Sequence, residues 1–149
     1  MGKALLITTD NEIKEVEIDF DNDEENKVNK QIREYIGNDC EYYEAIPSYF
    51  LNHTYNLTAY PTRHRIGVCL LIDEEGKLRN LNENLTATFL YTSYEPIAGN
   101  ALLVAVGYNK NDDIDYVSFP KKFLPFFKNV LDKIATSIKK NIEKFSKED

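Results

Sequence analysis

Up to about residue 120 the chain alternates short apolar runs with acidic or Asn-rich breaks, and beyond it a single helical stripe takes over. Residues 3–8 read as a first strand and 13–18 as its hairpin partner. Asp10-Asn11 supplies the turn, because both residue types tolerate the left-handed backbone such turns use. Ile13, Val16 and Ile18 alternate with one step out of phase, a pattern that admits a β-bulge. Val28, Ile32, Tyr35 and Ile36 fall at helical spacing, and Gly37 is expected to end that helix in the left-handed conformation. Residues 40–46 follow as a strand. Residues 65–72 are the most strand-like segment, apolar enough for burial on both faces. Asp73-Glu74-Glu75-Gly76 then predicts a hairpin turn with Gly76 at positive φ, and Lys77-Leu78 begins a return strand. Asn84 is expected to cap a short helix with Ala87, Leu90 and Tyr91 on one face. Residues 96–99 read as a type II-like turn, 100–106 as a buried strand, 109–113 as a polar turn and 114–119 as a shorter strand.

Two stretches depart from this rhythm. Residues 47–62 hold Tyr49, Phe50, His53, Tyr55, Leu57 and Tyr60 with neither a 2-residue nor a 3.6-residue period. They read as an irregular aromatic insertion that packs on its own sheet or on a partner. From residue 120 to 146, Phe123, Phe127, Val130, Leu131, Ile134, Ile138, Ile142 and Phe145 form one stripe, with Lys128, Lys133, Lys139, Lys140 and Lys144 largely off it. Pro125 suits a first helical turn, so the main helix is expected to start there. The sum is one α+β domain over residues 1–149. It has a mostly antiparallel sheet of five to seven strands, a short first helix and a long amphipathic C-terminal helix.

Composition changes this picture mainly through charge. The net charge of −7 opposes direct nucleic-acid binding, which needs clustered Lys and Arg. Residues 1–117 carry 10 basic and 21 acidic side chains, whereas residues 118–149 carry 8 and 4, so an acidic body bears a basic C-terminal segment. The basic segment is expected to pack on the body or to attract an acidic partner. Ten Tyr and eight Phe without Trp suit rims and interfaces. Cys40 and Cys69 are too few for a zinc site or a disulfide framework, and no signal peptide or membrane span is read at the N-terminus. The expected compartment is the cytoplasm, with both thiols reduced and the sequons at Asn52, Asn56 and Asn84 unused.

Four pieces of the chain carry a family likeness. They are Lys3-Ala-Leu-Leu-Ile7, then Glu15-Val-Glu-Ile18, then Asp73-Glu-Glu-Gly-Lys-Leu78 with Asn82-Glu-Asn84 and Ala87-Thr88, and finally Ile97-Ala-Gly-Asn-Ala-Leu-Leu-Val104. Over residues 3–107 the chain resembles a family of short uncharacterised proteins from bacteria, phages and mobile elements, a domain of unknown function. Leu81-Asn82 stands where that family usually has leucine-proline, and residues 47–62 and the C-terminal helix look like additions. The resemblance implies a small α+β fold and a mobile-element setting, and it carries no catalytic residues.

Candidate chemistry is sparse. Arg63-His64-Arg65, after Tyr60, is the one dense cationic cluster of the acidic body. Two guanidiniums beside a ring suit a phosphate and a stacked base, although surface arginines answering nearby carboxylates are the plainer reading. Asn82, Asn84, Thr86 and Thr88 suit hydrogen bonding to a ligand's edge, although capping accounts for Asn84 and Asn82. His53 and His64 lack ligand spacing, so no metal is expected. The acidic groups at residues 19–25 and 73–75 read as solvated loops. No phosphate-cradling glycine loop or nucleophile elbow occurs, and no cofactor is expected.

The function these features suggest is non-enzymatic binding: a phage or mobile-element protein that sequesters a nucleotide-like signal from a host defence. Tyr60, Arg63, His64, Arg65, Asn82, Asn84 and Thr86 would hold the ligand at the two ends of residues 65–90. An acidic inhibitor that binds a host defence protein by imitating nucleic acid is one alternative. A nucleotide-acting enzyme using His64 is another. The C-terminal helix or residues 47–62 are the expected contacts of a homo-oligomer, and no membrane partner is expected.

Overall fold

The computed structural model describes residues 2–22, 24, 26–37, 39–57, 61–63, 65–92 and 95–148. Its strands are β1 (Gly2–Ile7), β2 (Ile13–Ile18), β3 (Tyr43–Pro47), β4 (Gly67–Asp73), β5 (Ala101–Tyr108) and β6 (Ile114–Val117). Its helices are α1 (Lys27–Ile36), α2 (Tyr49–Thr54), α3 (Leu85–Tyr91) and α4 (Leu124–Glu148). The strands form one sheet in the order β2-β1-β5-β4-β3, with every pairing antiparallel. One edge of β5 is shared: Ala101–Leu103 pair with β1, and Ala105–Tyr108 pair with β6. This is the α+β architecture that the apolar pattern predicts.

The strand period of two explains the three layers. Leu5, Ile7, Val68, Leu70, Ile72, Leu103 and Ala105 point to one face, where α2, α3 and α4 add Leu51, Leu90, Phe127 and Leu131. Ala4, Leu6, Cys69, Leu71, Leu102 and Val104 point to the other, covered by Ile32 and Ile36 of α1. β4 is buried at every position, as its unbroken apolar run requires.

Several local expectations are corrected. The β1–β2 register runs continuously from Gly2↔Ile18 to Ile7↔Ile13, so there is no bulge. Asn11 makes the turn at φ 61. Gly37 ends α1 at φ 164, an extended backbone open to any residue, so no left-handed cap operates there. Residues 47–62 are not simply irregular, because Ser48 caps α2 by accepting from Leu51 N, and its own hydroxyl donates to Leu90 O at 2.9 Å. Leu51 is fully buried, so this segment belongs to the core.

No hairpin follows β4. Residues 74–80 are turns that lead to α3, and the neighbours of β4 are β3 and β5. Asp73 is buried and anchors this connection, accepting from Arg79 and from Glu75 N. Gly76 lacks a positive φ; it is needed because a Cβ there would lie 2.5 Å from Ala98 O. In the same way residues 96–99 depart from a type II turn, with Gly99 at φ 91 and a bridge between Glu83 and Ala98. α4 starts at Leu124 with Pro125 in its first turn, as expected.

Candidate functional site

The expected site residues separate. Arg63 and Arg65 precede β4, whereas Asn82, Asn84 and Thr86 lie beyond its other end, so the two clusters do not line one pocket. Tyr60 and His64 lie outside the described residues. Asn84 is fully buried and its side chain is consumed: Oδ1 accepts from Ala87 N at 3.0 Å, and Nδ2 donates to Ile7 O and Gly99 O at 2.9 Å each. Thr86 is also fully buried and donates to Asn11 Oδ1 at 2.8 Å. Both are therefore corrected to structural roles: they tie the start of α3 to the β1–β2 turn and to the approach to β5. Thr88 works likewise, accepting from Ile97 N and donating to Asn84 O. Asn82 is exposed, and its carbonyl accepts from Gly99 N.

At the other end, the backbones of Thr62 and Arg65 bond reciprocally and hold Arg63 outward. Arg63 meets Asp112 through two bonds of 2.6 and 2.9 Å and lies 4.8 Å from the centre of the Tyr108 ring. The guanidinium holds Asp112 below the usual carboxylate range, and Asp112 in turn raises Arg63. The plainer reading of Arg63, a surface arginine answering a carboxylate, is thus met. Arg65 differs: it is exposed and has no ion pair among the described residues.

Arg65 stands between two hollows. One is a groove of about 650 Å³ with a mixed lining, in which Asp19, Asp21, Arg63 and Lys110 stand beside Phe20 and Val117. The other is a slot of about 540 Å³ walled by Tyr55, Leu57, Phe126 and Phe127. Arg65, Ile66, Lys122 and Phe123 line both, so the hollows share one ridge. Burial of Phe127 and Leu124 fixes the first turn of α4 on the core, and that placement leaves Phe123 and Phe126 partly in solvent, at 38% and 45% exposure. Tyr55, just after α2, meets Phe126 edge to face at 5.2 Å. Lys122 lies 5.0 Å from the centre of the Phe123 ring.

The chemistry available is recognition of an anion beside an apolar wall. Ser118 is occupied, accepting from Lys3 N and donating to Phe119 O. Cys40 and Cys69 are buried, and burial pushes their thiols up to about 11 and about 12, far from nucleophilic readiness. Among the described residues, no group of three or more His, Cys, Asp or Glu side chains is placed to hold a metal ion. No described helix is long and apolar enough to cross a membrane.

Sequence reasoning passed over Lys122 and Phe126, and read Tyr55 and Leu57 only as part of the aromatic insertion. One signal was present: Phe126 is a large apolar residue off the α4 stripe, next to Phe127 on it. Comparison of the chain with models of protein families, with curated proteins and with solved structures finds no match.

Proposed function

We infer that the protein binds, without turning over, a small anionic ligand with a flat ring, of the nucleotide kind. The observation that carries this reading is the ridge itself. Arg65 and Lys122, neither in an ion pair among the described residues, stand where an aromatic-walled slot meets a groove that carries charged side chains. A ring entering the slot would lie against Phe123 and Phe126, and its phosphate would meet the two cations. Asp19 and Asp21 across the groove oppose a long polyanion and favour a short one, in keeping with the acidic body. The phage or mobile-element setting implied by the resemblance supports a sequestering role, in which a bound signal is withheld from a host defence.

Titration calorimetry with mono-, di- and cyclic nucleotides tests this reading. Heat with at least one of them is expected, lost in Arg65→Glu and weakened in Phe126→Ala. Absence of heat across the panel overturns it.

A further inference from the structure

The last turns of α4 leave the body of the protein. Residues 141–146 are all exposed, with Ile142 at 43% and Phe145 at 67%. Together with Ile138 they continue the stripe that buries Phe127, Leu131 and Ala135 earlier in the same helix, so a core-facing stripe outruns its core. Lys139 borders it, and Lys140 and Lys144 lie on the opposite face of the same helix. The projecting ten residues, 139–148, form a rod of about 15 Å.

At the β3 edge a hollow of about 490 Å³ has the opposite character. Ile46, Ile72, Tyr91 and Ile97 give it apolar walls, and Leu78 beside them is 84% exposed. Exposed Glu44, Glu74 and Glu95 stand around it against a single cation, Lys77, which lies 3.5 Å from Glu95.

We propose that the α4 tail of one copy docks in this acidic-rimmed hollow of a second copy, forming a dimer. The tail presents an apolar stripe on a rod of net positive charge, Lys139, Lys140 and Lys144 against Glu143, and the hollow presents apolar walls among glutamates, so surface and overall charge match together. The tail does not reach back to its own chain's hollow, because α4 is one unbroken helix through Glu148. The slot beside Arg65 and Lys122 is the wrong host, since its cations repel the lysines. An anionic membrane is disfavoured too, because residues 1–117 carry 21 acidic against 10 basic side chains. Placement suits reciprocal exchange. α4 passes Asn11–Lys14 at the start of β2, and the hollow lies at the end of β4, so both features sit at the same end of the sheet. A two-fold axis then uses both tails at once.

Sedimentation equilibrium of the full chain tests this at about 0.1 M and about 1 M salt, where screening shortens from about 10 Å to about 3 Å. A mass near twice 17.3 kDa is expected at low salt, with weaker association at high salt. Ile142→Asp with Phe145→Asp, and separately Glu44→Lys with Glu95→Lys, should each raise the dimer dissociation constant by more than about tenfold. All four positions are exposed, so the melting temperature of the dilute protein should not move. Adding Lys139→Glu and Lys144→Glu to the Glu44→Lys with Glu95→Lys variant should restore part of the dimer. A wild-type chain that stays monomeric overturns the proposal, as does a dimer indifferent to Glu44→Lys with Glu95→Lys. So does a monomer whose tail instead binds phosphatidylserine vesicles.

Discussion

Asn84 shows how a polar residue can look like a ligand contact and be a structural joint. Its one amide caps α3 and satisfies two carbonyls from separate segments, all without solvent. Asn84→Ala should cost about 2–4 kcal/mol, a lost cap plus buried carbonyls left unpaired. Asn84→Asp should also destabilise, because a carboxylate cannot donate to Ile7 O or Gly99 O. Urea denaturation with an unchanged slope checks both. Such a role was half legible: the capping position follows from sequence, whereas the two carbonyls come from the end of β1 and from the approach to β5, which only the fold brings near. The cysteines give a second residue-scale prediction. Burial raises Cys40 from 9.0 to about 11 and Cys69 from 9.0 to about 12. The folded state thus favours the neutral thiol, and the associated stability is complete below pH 9 and lost as pH rises toward 11 to 12. Urea midpoints followed upward from neutral pH should fall over that window, and the fall should be shallower in Cys69→Ala.

At the scale of elements, strands with dense apolar runs were legible and the connections between them were not. β4 and β5 announce themselves because burial on both faces leaves no polar step. Residues 73–81 misled because an acidic run ending in glycine has the local chemistry of a hairpin. What decides the outcome is nonlocal: Arg79 reaches Asp73, and Ala98 closes over Gly76. Gly76→Ala should therefore destabilise by about 1–3 kcal/mol through crowding against Ala98 O rather than through its backbone angle, and Gly37→Ala, which has open space and an extended backbone, should not. Thermal melts of the two variants side by side distinguish the causes. α2 was missed for a related reason. With six residues it is too short to show a period, and its stability comes from the Ser48 cap and from Leu51 in the core.

For the whole molecule, the division into an acidic body and a basic C-terminal segment was legible, but where each charge faces was not. α4 places Lys122 beside Arg65 at its start and carries Lys139, Lys140 and Lys144 away from the body at its end. One segment thereby contributes both to the ridge proposed to meet an anion and to a basic apolar rod. A ligand held only by the folded state raises stability by about 2.7 kcal/mol at one hundred times its dissociation constant. For a domain of this size that corresponds to a rise in melting temperature of about 5–10 °C. Nucleotides that give heat should produce this shift in the wild type and in Ile142→Asp with Phe145→Asp, since the tail is remote from the slot. Arg65→Glu should melt where the unliganded wild type melts and show no shift, because Arg65 is exposed and unpaired among the described residues. A shift that survives Arg65→Glu would mean that the anion meets the protein elsewhere, and the ridge between slot and groove would no longer be its site.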